Sequence, residues 1–345
     1  MMSDIVTSSD RRTFFLGVNT GYVTADLPDD RFVEFYESRA SPQLHCAIVG
    51  NVVVPGGFGS NAATPTLTDN VIWEQVAKAI AAQGSVPGIQ LATAWEGYEG
   101  SRKFVGLAGD QVINTARALV HTMGRGGIGD ILDAFDSAAE MARNHGYGHV
   151  QVHAAHGYFL SLLVDARIYA EAEHVLDRLA AMATRLAADG CESSIRISLK
   201  TGDTEFDADG REEFQDRIAA LPFDFFDLSS GFYNIDKRLI YPSLSHIRSD
   251  RLAESLSVAA RHPAKAFILS GRAAHVAPDA LPLNVHIGLC RDLIANPNFL
   301  TDPAHGCCGK NKCHYFSRGA EHLTCALWER EPMHLVRREA SGDRA

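Results

Sequence analysis

Gly148-His149-Val150-Gln151-Val152-His153-Ala154-Ala155-His156-Gly157-Tyr158 is the stretch from which the fold is read. A short β-branched run, the pattern of a buried strand, ends in two imidazoles three residues apart, and a tyrosine follows two residues later. In a parallel barrel, side chains at the C-terminal end of such a strand stand where barrel enzymes carry out their chemistry. Two imidazole N–H groups can grip one carbonyl oxygen, and a nearby phenol can supply a proton. That combination suits the addition of hydride across a double bond conjugated to a carbonyl. A buried histidine at a strand end is also often an ordinary core residue, so His153, His156 and Tyr158 leave both readings open.

Outward from this strand, segments of the same kind recur. Residues 14–19, 44–54, 88–91, 149–153, 194–199, 225–229, 266–269 and 284–287 are short, rich in β-branched or aromatic residues, and bounded by Gly, Pro, Ser or Asp. Helical spacing occupies residues 31–40, 68–83, 130–144, 171–189, 211–220 and 245–261, with Thr68 and Asp69 as cap-type residues and Gly190 as a stop. Eight strands alternating mostly with helices predict an α/β fold, a (β/α)8 TIM barrel over residues 1–300. A doubly wound sheet is the alternative, because periodicity alone does not close a barrel. Residues 301–345 read as a Cys/His-rich tail, polar and frayed over 337–345.

The 345 residues are 46% apolar and carry a net charge of −10. The charge argues against nucleic acid as a partner. No apolar run approaches a membrane span, and Met1–Ile5 lacks the character of a signal peptide, so the expectation is a cytoplasmic protein acting on a small molecule. A homo-oligomer is compatible with this composition.

Three further motifs carry chemistry. Arg196, inside the apolar run Ser194-Ile195-Arg196-Ile197-Ser198, must find an anion or several acceptors. It either bridges to a neighbouring strand or stands beside an electron-rich cofactor ring. Ser270-Gly271-Arg272 and Gly288-Leu289-Cys290-Arg291 end the seventh and eighth strands, where barrels commonly bind phosphate. Cys307, Cys308, Cys313 and Cys325 either hold an iron–sulfur cluster or zinc, or are free thiols. Gly124-Arg125-Gly126-Gly127-Ile128-Gly129 matches GxGxxG but follows a weak strand, with no acidic residue at the end of the next one; it reads as a loop.

Together these segments resemble the Old Yellow Enzyme family of FMN-dependent NADH:flavin oxidoreductases and ene-reductases, from about Phe14 to Cys325. His153-Ala-Ala-His-Gly-Tyr158 is similar to its substrate-binding segment. Phe35-Tyr-Glu-Ser-Arg-Ala40 resembles its "YYxxRA" helix, and Gln90-Leu91 its "QLxH" strand. Asn61-Ala-Ala-Thr-Pro65 resembles the loop after its second strand, and Ile287-Gly-Leu-Cys-Arg291 the end of its last strand. The resemblance implies FMN, with NAD(P)H as reductant, and reduction of the C=C bond of an α,β-unsaturated carbonyl compound.

It also implies roles. Thr20 would hydrogen-bond the flavin near N5, Gly50 would let the backbone approach the ring, and Gln90 would hold the pyrimidine edge. Arg196 would lie by N1 and the C2 carbonyl. His153 and His156 would bind the substrate carbonyl, and Tyr158 would donate the proton. Gly271, Arg272 and Arg291 would hold the phosphate. The cysteine cluster resembles the iron–sulfur segment of longer relatives, although Gly309 or Lys310 stands where a second ligand is expected. The segment from Ser161 to Tyr169 is shorter than the family's. A dehydrogenase or demethylase of a small metabolite, and a non-catalytic FMN-binding scaffold, are the alternatives.

Overall fold

The apolar runs pair side by side and in parallel until the last meets the first. The computed structural model describes residues 11–328. Its strands are β1 (Thr13–Phe15), β2 (Cys46–Val53), β3 (Val86–Ala92), β4 (His149–Ala154), β5 (Glu192–Ser198), β6 (Phe225–Ser229), β7 (Ala266–Leu269) and β8 (Val285–Leu289). Phe14 of β1 is registered with Cys46 of β2 on one side and Gly288 of β8 on the other. That double pairing closes the barrel and removes the doubly wound alternative.

Alternation along each strand builds two apolar layers. One set, including Phe15, Val49, Ile89, Val152, Ile195, Phe226 and Leu269, packs in the main core with the surrounding helices. The other set, Phe14, Leu16, Cys46, Ile48, Phe225 and Ile268, forms a separate cluster that plugs the barrel. Each large side chain so buried contributes about 1.5–3 kcal/mol. Phe14 meets Phe225 edge-on at 5.1 Å and is flanked by His45, His149 and His286. Apolar plugging at this level leaves the opposite end for polar residues.

The main helices are α1 (Asp30–Glu37), α2 (Ile72–Ala82), α3 (Gly109–Asn144), α4 (Ala172–Ala188), α5 (Arg211–Ala219), α6 (Ser245–Arg261) and α7 (Arg291–Ala295). Helix α2 starts four residues later than expected, because Thr68 Oγ1 accepts from Asn70 N and Asn70 Oδ1 accepts from Ile72 N, tying the preceding residues into turns. The glycine-rich segment is not a loop. Gly124, at φ 63° and ψ 178°, breaks α3 once, and helix resumes through residues 125–129. Buried Ile113, Ala116, Val120, Ile128 and Leu132 supply the apolar face that holds both halves in place.

No helix among the described residues is long and apolar enough to cross a membrane. The expectations for Met1–Ile5 and for residues 337–345 lie outside the described residues.

Candidate active site

The C-terminal end of β4 delivers the first group. His153 is registered with Arg196 of β5, and both line one cavity at the mouth of the barrel. The chain then turns sharply. His156 adopts φ 65° and Gly157 φ 80°, both left-handed. Gly157 is required, since a Cβ there would lie 3.1 Å from the Phe232 ring. The turn is pinned by His156 N donating to Ser198 Oγ (2.9 Å) and by Tyr233 N donating to His156 O (2.9 Å). The ring centroids of His153 and His156 end up 5.0 Å apart, and those of His153 and Tyr158 4.8 Å apart.

All three groups are uncharged at neutral pH. Burial, with the Arg196 charge adding to it, pushes His153 down to about 3. Burial also holds His156 well below the ordinary imidazole value, helped by His153, Arg196 and Arg251. The Tyr158 phenol is raised well above its usual value by burial and then by Tyr233. The hydrogen bonds select tautomers. His153 Nδ1 accepts from Ala155 N at 3.4 Å, so its hydrogen sits on Nε2. Ser229 Oγ accepts from Arg251 Nη2 (3.3 Å) and shares a hydrogen bond of 2.6 Å with His156 Nε2; when the serine supplies that hydrogen, His156 Nδ1 carries the ring proton. In that arrangement each imidazole keeps one N–H for a ligand.

Beneath these rings a polar belt crosses four strands. Gln90 Nε2 donates to Gln151 Oε1 at 2.5 Å, and Gln151 Nε2 donates to Ser194 Oγ at 3.1 Å and Asp227 Oδ2 at 3.4 Å. Arg196 Nη1 meets the same Asp227 oxygen at 2.5 Å. Arg196 thus satisfies both of its readings: it pairs with a neighbouring strand and it lines the cavity. Asp227 went unrecognised in the sequence, although a carboxylate within Phe225-Phe226-Asp227-Leu228 needed a buried cation as much as Arg196 needed an anion.

At the far side of the cavity the ends of β7 and β8 supply Gly271, Arg272 and Arg291. Gly271 and Arg272 are both left-handed, at φ 80° and 76°. Arg272 donates to Cys307 O at 3.3 Å and lies 3.9 Å from Asp292; Arg291 donates to Asn311 Oδ1 at 3.3 Å and Pro242 O at 3.5 Å. Among the described residues no carboxylate lies within ion-pair distance of Arg291. One cavity therefore carries an amide and a guanidinium at one end and two guanidiniums at the other. This donor set fits FMN: Gln90 and Arg196 suit the heteroatom edge of its ring, and Arg272 and Arg291 its phosphate.

Two expected residues stand back from the cavity wall. Thr20 is buried, with Oγ1 accepting from Tyr22 N at 3.2 Å and its carbonyl accepting from Leu323 N at 2.7 Å. Its neighbour Asn19 lines the cavity instead. Gly50 also lies behind the wall, its N–H donating to the Tyr36 hydroxyl at 3.2 Å, while Asn51 is exposed to the cavity. Groups not foreseen include Tyr233 and Tyr241, whose hydroxyls meet at 2.8 Å, together with Lys237 and the tail residues Tyr315 to Ser317. Tyr315 donates to Asn19 Oδ1 at 2.8 Å and so seats the tail across the barrel mouth.

The metal site raised for Cys307, Cys308, Cys313 and Cys325 does not assemble. Among the described residues no group of three or more His, Cys, Asp or Glu side chains is placed to hold a metal ion. All four are free thiols. Cys313 turns into the cavity wall, whereas Cys308 is exposed.

Similarity to known proteins follows the same architecture. The sequence profile of the NADH:flavin oxidoreductase / NADH oxidase family matches residues 15–170. Over 233 residues the chain is 25% identical to the NADH-dependent flavin oxidoreductase nadA of Aspergillus parasiticus, covering 60% of this chain and 52% of that protein. The chain thus spans about half the length of this curated relative. Among solved structures, 6-hydroxypseudooxynicotine amine oxidase (HisD) from Pseudomonas geniculata N1 superposes with a TM-score of 0.70 at 17% identity, covering 94% of this chain and 53% of that one, a likeness of fold. The profile match runs from β1 through the His153–Tyr158 turn of a closed eight-stranded barrel, so over residues 15–170 this chain is similar to the NADH:flavin oxidoreductase / NADH oxidase family.

Proposed function

We propose that this chain is an FMN-dependent oxidoreductase that uses NAD(P)H to reduce the C=C bond of an α,β-unsaturated carbonyl compound. The observation that carries this reading is the grouping of His153, His156 and Tyr158 in one cavity with Gln90 and Arg196.

In this reading His153 and His156 would each donate a ring N–H to the substrate carbonyl oxygen. These bonds strengthen as negative charge builds on that oxygen, so they favour the transition state over the bound substrate. FMN, when held there by Gln90, Arg196, Arg272 and Arg291, would supply the hydride chemistry, with NAD(P)H as its reductant. Tyr158 gives its phenolic proton to the α-carbon, which completes the addition of two electrons and two hydrogens. Burial keeps that proton in place until it is needed. Asp227 and Gln151 hold Arg196 and Gln90 in position below.

The test is an anaerobic titration of the purified protein followed in the visible spectrum. NADH or NADPH should bleach the flavin bands, 2-cyclohexen-1-one should restore them, and cyclohexanone should accumulate. A flavoprotein that is bleached by an amine or alcohol donor, and whose colour no enone restores, would instead be a dehydrogenase.

A further inference from the structure

Lys237 is a buried cation without a counter-charge. Its side chain lines the active-site cavity, and the residue is 3% exposed. Nζ meets Ser317 Oγ at 3.2 Å and lies 5.7 Å from the centre of the Tyr233 ring. Among the described residues no carboxylate lies within 4 Å of it. The adjacent carboxylate, Asp236, is taken by Arg238 at 2.7 Å and by capping Arg238 N.

A lysine kept for structure would be expected to look different. Arg251, a deeply buried cation of the same region, donates to the carbonyls of Leu228, Leu239 and Ile240 and to Ser229 and Ser270. Lys237 has three hydrogens and a single hydroxyl acceptor. Burial pulls its ammonium down to about 8, which still leaves most of it charged at pH 7. A charge in that position is costly unless an anion joins it.

Its distance from the reacting centre is bounded. The Tyr233 ring lies 5.5 Å from that of His156 and, as above, 5.7 Å from Nζ, so the ammonium is no more than about 11 Å from the carbonyl-binding imidazole. A carbonyl hydrogen-bonded at one end and an anionic oxygen at the other then lie a few bonds apart on one small molecule. We infer that Lys237 and Ser317 form an anion subsite, and that the natural substrate is an unsaturated carbonyl compound bearing a carboxylate a few bonds from its carbonyl. This inference rests on the function proposed above and names its substrate class.

Two readouts on the FMN-loaded protein keep the ideas separable. The first is calorimetric binding of 4-oxopentanoate and of its methyl ester, which need no turnover. The acid should bind the wild type about 10- to 100-fold more tightly than the ester, the factor of one charge-assisted hydrogen bond. Lys237→Met should erase most of that ratio, and Lys237→Arg should keep part of it. The second is reoxidation of the reduced enzyme by trans-4-oxo-2-pentenoate and its methyl ester, where the acid should lead in kcat/KM by a similar factor. Equal binding of acid and ester by the wild type overturns the subsite, whether or not the variants fold. A Lys237→Met protein that loses FMN, or whose KM for NADPH alone rises, with the acid-to-ester ratio unchanged, also overturns it and assigns the lysine to a phosphate. Lys237-dependent binding of 4-oxopentanoate without reduction of either alkene would support the subsite and remove the ene-reductase reading.

Discussion

Arg196 Nη1 and Asp227 Oδ2 lie 2.5 Å apart on adjacent strands, directly opposite in register, with the carboxylate fully buried and the guanidinium bordering the cavity. The pair shares its oxygen with Gln151, which in turn receives Gln90. One carboxylate therefore orients both groups assigned to the cofactor's heteroatom edge.

Asp227→Ala should strand the Arg196 charge. Breaking one side of a buried pair costs about 3–5 kcal/mol, so the urea midpoint should fall accordingly, and FMN should dissociate more readily because Arg196 and Gln151 lose a common anchor. Unchanged stability together with full FMN occupancy would show that the pair positions nothing.

Tyr158→Phe removes one oxygen and little volume. The oxidative half-reaction should slow by about 10²- to 10⁴-fold, the usual contribution of a general acid, while reduction of the flavin by NADPH stays within a few-fold of wild type. Stopped-flow traces of the two half-reactions separate these effects. An equal loss in both would mean that Tyr158 shapes the pocket and donates no proton.

Stability should fall on acidification before any carboxylate titrates. His153 and His314 are pushed down to about 3 and His286 to about 4, in each case chiefly by burial. Each stays neutral in the fold but takes up a proton when unfolded below about 6.5. The unfolded chain then binds more protons, so stability is complete above that value and drops as pH falls towards the folded values, by up to about 1.4 kcal/mol per unit for each histidine. Glu192, held low by hydrogen bonds from His149 and His45 against the opposing effect of burial, adds to the same loss below about 4.5. Urea midpoints at pH 7.5 and 5.0 should differ accordingly, and His314→Gln should reduce the slope. A flat profile over this interval would contradict neutral burial of these rings.

The cysteines of the tail should bind no cluster. Purified protein should show flavin bands without underlying iron–sulfur absorption, and prolonged chelation should leave its melting temperature unchanged. Stoichiometric iron or zinc in elemental analysis would refute this arrangement of thiols.

How much of the site was legible follows from where each signal resides. The turn from His153 to Tyr158 is written in six consecutive residues, and Gly157 marks its left-handed step. Arg196 announced itself as a charge in an apolar strand, and Gly271, Arg272 and Arg291 as strand-end residues of the last two staves. Thr20 and Gly50 each lie one residue from a residue that lines the cavity, Asn19 and Asn51 respectively. The break at Gly124 followed by more helix was hidden because an isolated glycine signals a loop and a kink equally well.

By itself, then, the amino-acid order determined the alternation of eight strands with helices and the identity of the imidazoles, the phenol and the arginines at their ends. Those are properties of short windows, set by side-chain period and turn chemistry. Tertiary structure alone decided that Asp227 stands against Arg196, that Ser317 reaches Lys237 across 80 residues, and that the tail thiols form no metal-holding group among the described residues. The cause is physical: contacts between distant segments are chosen by closure of the barrel and by the loss of water around each charge, and no local pattern encodes either.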